Sequence, residues 1–452
     1  MVVWAAMLVS AALLIQNFIN PATTAFHIPL ALLVFSISLL ATQSLPEHIT
    51  ALIFFLGAII FSVAPPEIVF SGFATGGFWL VFSGIIIGIS IQETKLGSFI
   101  ARRLLGFSNL TYMRAVSVLT IVSFVLGFLM PATIPRLIIL IPIGAGLAEA
   151  MNLESGGKGY TGIMLAIILG TFSATSSIMT ANLPTVVHVG AMEAVYGQSI
   201  SFTEYLFYQA PVVSAVRIVS IIVIVRLMFF EKVSEIETSV DVEPITRDQR
   251  KLLILLVITL IFWSTDFIHH IKPAWIGLAL AVILLLPFTK LLSQDAFTKK
   301  ANFAPLFFIA GVLAIGAIIK HTGLDGAIGD YLFSIFQFSQ GFDFQNYYII
   351  IGLSVLGCLL TTAPALPALT VPFAHQISEQ TGLSLLAVLM IQVFGLTGTI
   401  FPYQAPPLAV SLGICNISAL NLTKGLAAML LSTLVIIAPL NYIWWKMIGL
   451  LP

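Results

Sequence analysis

Runs of sixteen or more apolar residues recur along this chain, separated by short polar stretches. A helix of about that length crosses the hydrocarbon core of a bilayer, so the pattern predicts an all-α polytopic membrane protein. Candidate spans cover residues 2–18, 27–44, 47–64, 76–92, 160–196, 206–230, 252–269, 273–289, 302–320, 383–418 and 425–448, about eleven crossings. Two other apolar stretches, 115–150 and 346–378, are too long for one span and break near their centres, at Met130–Arg136 and Thr361–Pro367. Proline ends or kinks a helix, and irregular backbone at membrane depth survives only inside protein or along a cavity. Each stretch therefore reads as a re-entrant hairpin with its tip inside the membrane; the alternative is one kinked span each.

Behind each hairpin lies a long apolar segment with a polar middle. The first, 170–190, holds Ser173, Thr175, Ser176, Ser177, Thr180, Asn182 and Pro184. The second, 391–413, holds Gly395, Thr397, Gly398, Thr399, Gln404, Pro406 and Pro407. Both read as discontinuous helices, unwound at the bilayer centre. Half-helix N-termini facing a cavity suit an anion, and unwound carbonyls suit a cation. The plainer alternative for any one Ser or Thr is a bond back to its own helix.

The two halves share a register. Thr94, Leu96, Ile100 and Leu104 recur as Thr322, Leu324, Ile328 and Leu332, 228 residues on. Pro46 and Pro273 are 227 apart, and Pro142 and Pro372 are 230 apart. The first copy carries Lys95, Arg102 and Arg103, where the second carries Asp325 and Asp330. Lys and Arg favour the cytoplasmic ends of spans, so a segment basic in one copy and acidic in the other predicts two inverted repeats. Lys95, Arg114, Lys158, Arg226, Arg247, Lys290, Lys300 and Lys424 then fall inside, and Lys272, Lys320 and Lys446 outside. That places the N-terminus in the cytoplasm and the C-terminus outside. The domain plan is 1–44 as N-terminal spans, 45–230 as repeat 1, 231–251 as a cytoplasmic linker and 252–452 as repeat 2.

Composition agrees. Of 452 residues 59% are hydrophobic and 8% charged, against about 25% charged in soluble chains. Net charge is zero, which gives no reason to expect nucleic acid as a partner. Cys358 and Cys415 lie in apolar segments and read as packing residues rather than a disulfide. The first segment has no basic n-region, so it reads as a retained span.

"LPEHITAL" and "FPYQAPPLAV" resemble the Pro-Glu-Ala-Val-Thr-Ala-Leu and Leu-Pro-Val-Ala-Thr-Pro-Pro-Asn stretches of the divalent anion/sodium symporter family. That family comprises dicarboxylate, citrate and sulfate carriers, and the likeness runs from about residue 45 to the end. It implies a homodimer in the cell's inner membrane, with a transport domain moving as an elevator against a scaffold. It also implies sodium as a coupling ion and no other cofactor. The Ser-Asn-Thr tips of that family fall here on Ala132, Thr133 and Ile134, and on Thr362, Ala363 and Pro364; the residues around its second Pro-Pro become Ala405 and Leu408. The resemblance thus implies substrate ligands among Ala132, Thr133, Thr361, Thr362, Asn182 and Gln404. It implies cation ligands among Ala132, Thr133, Thr180, Asn182, Thr362, Ala363 and Ala405. With both tip asparagines absent, coupling is expected to be weakly sodium-dependent or proton-linked, because hard cations need several oxygens.

Arg136 lies in the otherwise apolar "PRLIILIPIG". A charge inside a span is costly and marks function by default, and a guanidinium holds carboxylate, sulfate or phosphate with two prongs. The competing role is pairing with hairpin carbonyls. His188 and His375 are read as the deep histidines, hence the candidates for proton coupling. Arg217 and Glu193 are read as interfacial. The expected function is secondary transport of a small anion such as a dicarboxylate, citrate or a sulfate-like ion, with a membrane enzyme or a non-transporting sensor or scaffold as competitors. No paired acids, metal cluster or activated nucleophile share one depth, so the enzyme reading lacks its chemistry.

Overall fold

A computed structural model describes residues 26–105, 110–233 and 244–452. The expected first span, 2–18, and most of the expected linker, 234–243, lie outside the described residues.

Among the described residues eight helices are long and apolar enough to cross a membrane, with shorter apolar helices between them. The first half contains α1 (His27–Thr42), α2 (Glu47–Ile60), α3 (Gly76–Thr94), α4 (Leu96–Leu105), α5 (Tyr112–Leu129), α6 (Thr133–Ala150), α7 (Lys158–Phe172), α8 (Leu183–Tyr196) and α9 (Phe202–Met228). After α10 (Arg247–Ser264), the second half repeats the series. It runs α11 (Pro273–Leu285), α12 (Ala304–Thr322), α13 (Leu324–Ile335), α14 (Asp343–Leu360), α15 (Leu366–Thr370), α16 (Ala374–Thr381), α17 (Leu385–Gln392), α18 (Pro406–Ile414) and α19 (Ala419–Met447).

The internal repeat is visible in lengths, caps and defects. α3 and α12 both have 19 residues, and α5 and α14 both have 18. α3 ends on Lys95 at φ 56° and α12 on Gly323 at φ 73°, a left-handed cap at the same step of each copy. The last span of each half carries a π-turn, at Ala210–Ser214 and at Thr433–Ile437. Packing repeats too: α3 lies against α11, and α2 lies against α12.

α3 and α11 run side by side in the same direction. At one end Glu193 of α8 pairs with Lys272 at 2.6 Å and accepts from the Gly76 N–H at 2.7 Å. At the other end Glu93 pairs with Lys300 at 2.7 Å and accepts from Ser293 N–H and O–H, both at 2.9 Å. The hydrogen bond it donates to Glu93 holds the Lys300 ammonium above its ordinary pKa. Lys272 and Lys300, expected on opposite faces, thus sit at opposite ends of a helix about 27 Å long.

Both expected hairpins form. The Tyr112 hydroxyl at the foot of α5 donates to Gly159 O at 3.0 Å, near the start of α7. The far arm also returns there, with Gly144 of α6 against Ile163, Met164 and Ile167. The tip between the arms meets the chain beyond the other end of α7, where Gly127 lies against Thr175 and Ile178 and Thr133 donates to Ala181 O at 3.4 Å. Two arms with both feet at one end of α7 and their tip at the other are a hairpin, not a kinked span. The break is narrower than Met130–Arg136: helix resumes at Thr133, so Pro135 and Arg136 sit in the first turn, where proline costs no intrahelical bond. The second hairpin breaks at 361–365, and its far arm is split by a 3-10 turn at Val371–Phe373.

Candidate functional site

Each broken helix comes apart where its Ser, Thr and Pro residues cluster. α7 passes into a 3-10 turn at Ala174–Ser177, then irregular chain to Asn182, whose side-chain carbonyl accepts from Thr185 N–H at 3.2 Å and its hydroxyl at 2.8 Å to open α8. α17 passes through a 3-10 turn at Val393–Thr397 and irregular chain to Ala405, where two prolines, which need no intrahelical donor, start α18. The second half of each broken helix crosses to the other repeat's hairpin: α8 packs on α15, and α18 packs on α6.

The hairpin tips close onto these segments. Arg136 is fully buried. Its Nη2 donates to Ala181 O and, at 3.4 Å, to the Thr133 hydroxyl, and its Nε donates to Ala132 O at 3.4 Å. Its Nη1 has no hydrogen-bond partner. At the second tip Ala363 N–H donates to Gln404 O at 2.7 Å. The hydroxyls of Thr180, Thr361, Thr362, Thr399 and Ser173 are buried without a partner, so both tips and both unwound segments present unspent polar groups.

Arg217 is not interfacial. It is 1% exposed, and its Nη1 donates to Ser173 O at 3.0 Å and to the Ser176 hydroxyl. Its Nη2 donates to the Thr397 hydroxyl at 2.6 Å. One guanidinium therefore ties the first unwound segment to the second. The π-turn three residues earlier adds a residue to the turn and swings the following helix face inward. Position within the span was the available signal, since Arg217 falls near the middle of Phe202–Met228. Two neighbours were also missed: the Tyr205 hydroxyl donates to Ser176 O at 3.0 Å, and Ser214 donates to Ala174 O.

Three other expectations separate. His188 is fully buried, with Nε2 2.9 Å from Leu389 O and Nδ1 without a partner. His375 is not deep: a 3-10 turn around Pro372 breaks the arm, and His375 is exposed on the α16 that follows, 3.6 Å from Glu379. Gln404 is buried as expected, but its amide is spent on backbone. It accepts from Ile400 and Phe401 N–H, each at 2.7 Å, and donates to Cys358 O at 2.7 Å, which holds the loop before α18 in shape. Glu193 keeps its expected place near a surface, and Cys358 and Cys415 are free and buried.

Two openings flank this centre. A crevice beside Lys272, Glu193 and Gly76 reaches Met179 in the first unwound segment. A recess of about 750 Å³ lies at the feet of the first hairpin, lined by Pro142, Glu149, Asn152, Glu154 and Tyr160.

Comparison with known proteins agrees with this picture. A family model described as citrate transporter matches residues 37–393. An uncharacterized transporter of Haemophilus influenzae is 21% identical, over 92% of this chain and 91% of its own. The Escherichia coli inner membrane protein YbhI is 20% identical, over 84% of this chain and 82% of its own. Among solved structures, the YdaH transporter of Alcanivorax borkumensis, described as having an unusual topology, superposes with a TM-score of 0.51 at 15% identity. That match covers 85% of this chain and 88% of the other.

Proposed function

Because the chain belongs to the citrate transporter family, we propose that it is a secondary transporter for a small multivalent anion such as a di- or tricarboxylate or a sulfate-like ion. The observation that carries the reading is a pair of buried guanidinium groups, Arg136 and Arg217, beside the unwound segments. Neither has a carboxylate partner among the described residues. Uncompensated charge is expensive in a membrane interior, and a bound anion is the group that would offset it. Arg136 Nη1, with no acceptor of its own, is the donor best placed to receive it, with the Thr361, Thr362 and Thr180 hydroxyls as further donors.

Transport would be of the elevator type. The hairpins and broken helices would move as one body carrying the anion between the crevice beside Lys272 and the recess beside Glu149. A homodimer in the inner membrane fits the same family reading. His188, buried with one ring nitrogen unpartnered, is the proton-coupling candidate that remains after His375. The test is a thermal-shift screen of purified protein with succinate, citrate, sulfate and phosphate, followed by uptake of the stabilising anion into liposomes. Saturable uptake supports the reading; stabilisation without flux would assign the chain to sensing or scaffolding instead.

A further inference from the structure

Sodium coupling needs a cage of oxygens, so the carbonyls of the unwound segments are the place to test it. In the first segment six of them are already claimed. Ser173 O accepts from Arg217, Ala174 O from Ser214, Ser176 O from Tyr205, and Ala181 O from Arg136 and Thr133. Thr175 O accepts from Ile178 N–H, and Ile178 O from Ala181 N–H. The second segment and its tip are similar. Gly395 O accepts from Gly398 N–H, Gln404 O from Ala363 N–H, Thr362 O from Ala365 and Leu366 N–H, and Ala405 O from Leu408 N–H. Ala132, Ala363 and Ala405 bring no side-chain oxygen.

What fills the junction is a guanidinium. Ser173 O, Ser176 Oγ and Thr397 Oγ1 converge from two unwound segments. One carbonyl and two hydroxyls are the start of the oxygen set a hard cation collects. We propose that Arg217 is the fixed cation of this carrier, occupying the junction of the unwound segments in place of an exchangeable inorganic ion. The positive charge then stays with the protein through the cycle. Given the anion-carrier reading on which this consequence rests, no sodium gradient is harvested and no sodium charge accompanies the substrate.

The experiment reads thermal unfolding of the detergent-purified full chain, so its outcome is independent of whether any anion is transported. Wild-type protein is expected to unfold at the same temperature in sodium, potassium and choline chloride. Arg217→Ala removes the donor these three oxygens share and is expected to unfold earlier. Millimolar methylguanidinium, and sodium in preference to choline, would then restore about 2–4 °C, a shift readable for a chain of this size. A plain structural contact predicts no recovery with either ion, and that result overturns the proposal. A sodium-specific rise in the wild type also overturns it, by showing that an inorganic cation has its own site while Arg217 is in place. That second measurement decides the matter even if Arg217→Ala cannot be purified.

Discussion

Arg136 and Arg217 are both buried and both bond to carbonyl or hydroxyl oxygens, yet their removal should read differently. Arg217 joins two unwound segments through three acceptors, whereas Arg136 bonds within one tip and its neighbouring segment and keeps Nη1 unspent. If Arg136 binds the anion, Arg136→Gln abolishes saturable binding in a protein that stays monodisperse. Arg136→Lys keeps the charge but loses a prong, worth roughly 1.5–3 kcal/mol, or about 10- to 150-fold in affinity. Isothermal titration and size exclusion on the same two variants check this; a well-folded Arg136→Gln protein with wild-type affinity would end the substrate role. Arg136 was legible in the sequence because a lone charge in "PRLIILIPIG" has no polar neighbour to explain it. Arg217 was hidden by its long span, whose π-turn shifts the helix face in a way no regular periodicity shows. His375 misled for the opposite reason, since an apparently continuous apolar arm is in fact broken at the Pro372 turn, and the helix after it carries His375 exposed.

The broken helices and hairpins were legible as elements because proline and clustered Ser and Thr mark where a helix cannot continue. Their exact edges were not, since Pro135 sits within the first turn of α6 rather than before it. What positions these elements is close backbone approach. A methyl group added at Gly395 would lie 2.5 Å from Ser354 Cβ and 2.7 Å from Ser354 O, so α14 could not seat against the second unwound segment. At Gly413, on α18, an added methyl group meets nothing within 4 Å. Gly395→Ala should therefore cost about 1–3 kcal/mol of stability by overpacking, while Gly413→Ala should be neutral or slightly stabilising. Equal melting temperatures for the two variants would mean the second broken helix is packed differently. The hairpin tips give a second check. In a Cys358- and Cys415-free background, cysteine at Thr133 should be labelled from the cytoplasm and cysteine at Thr362 from outside. Labelling of both from one side in every condition would contradict the inverted arrangement.

At the scale of the whole molecule, inversion was legible from a shared register carrying opposite charge: Lys95, Arg102 and Arg103 against Asp325 and Asp330 in segments 228 residues apart. Invisible in the sequence was the pair of brackets holding α3 and α11 at their two ends, because ion pairs across 79 and 207 residues leave no local pattern. In the proposed elevator the Lys272–Glu193 bracket would span the moving and the static body, since Glu193 is on α8, continuous with the first unwound segment, and Lys272 precedes α11. Its side chains are 44% and 23% exposed, so it contributes only about 0.2–1 kcal/mol and cannot lock the carrier. It can bias it. Lys272→Gln or Glu193→Gln should each raise the transport rate by about 1.5- to 5-fold if the bracket holds a resting state. The double variant should go no faster than either single one, because the same contact is lost once. High salt should raise the wild-type rate toward that of the variants and leave theirs unchanged. Rates measured in liposomes decide it: additive effects, or a salt response that survives in the double variant, would show that the pair does not sit between moving parts.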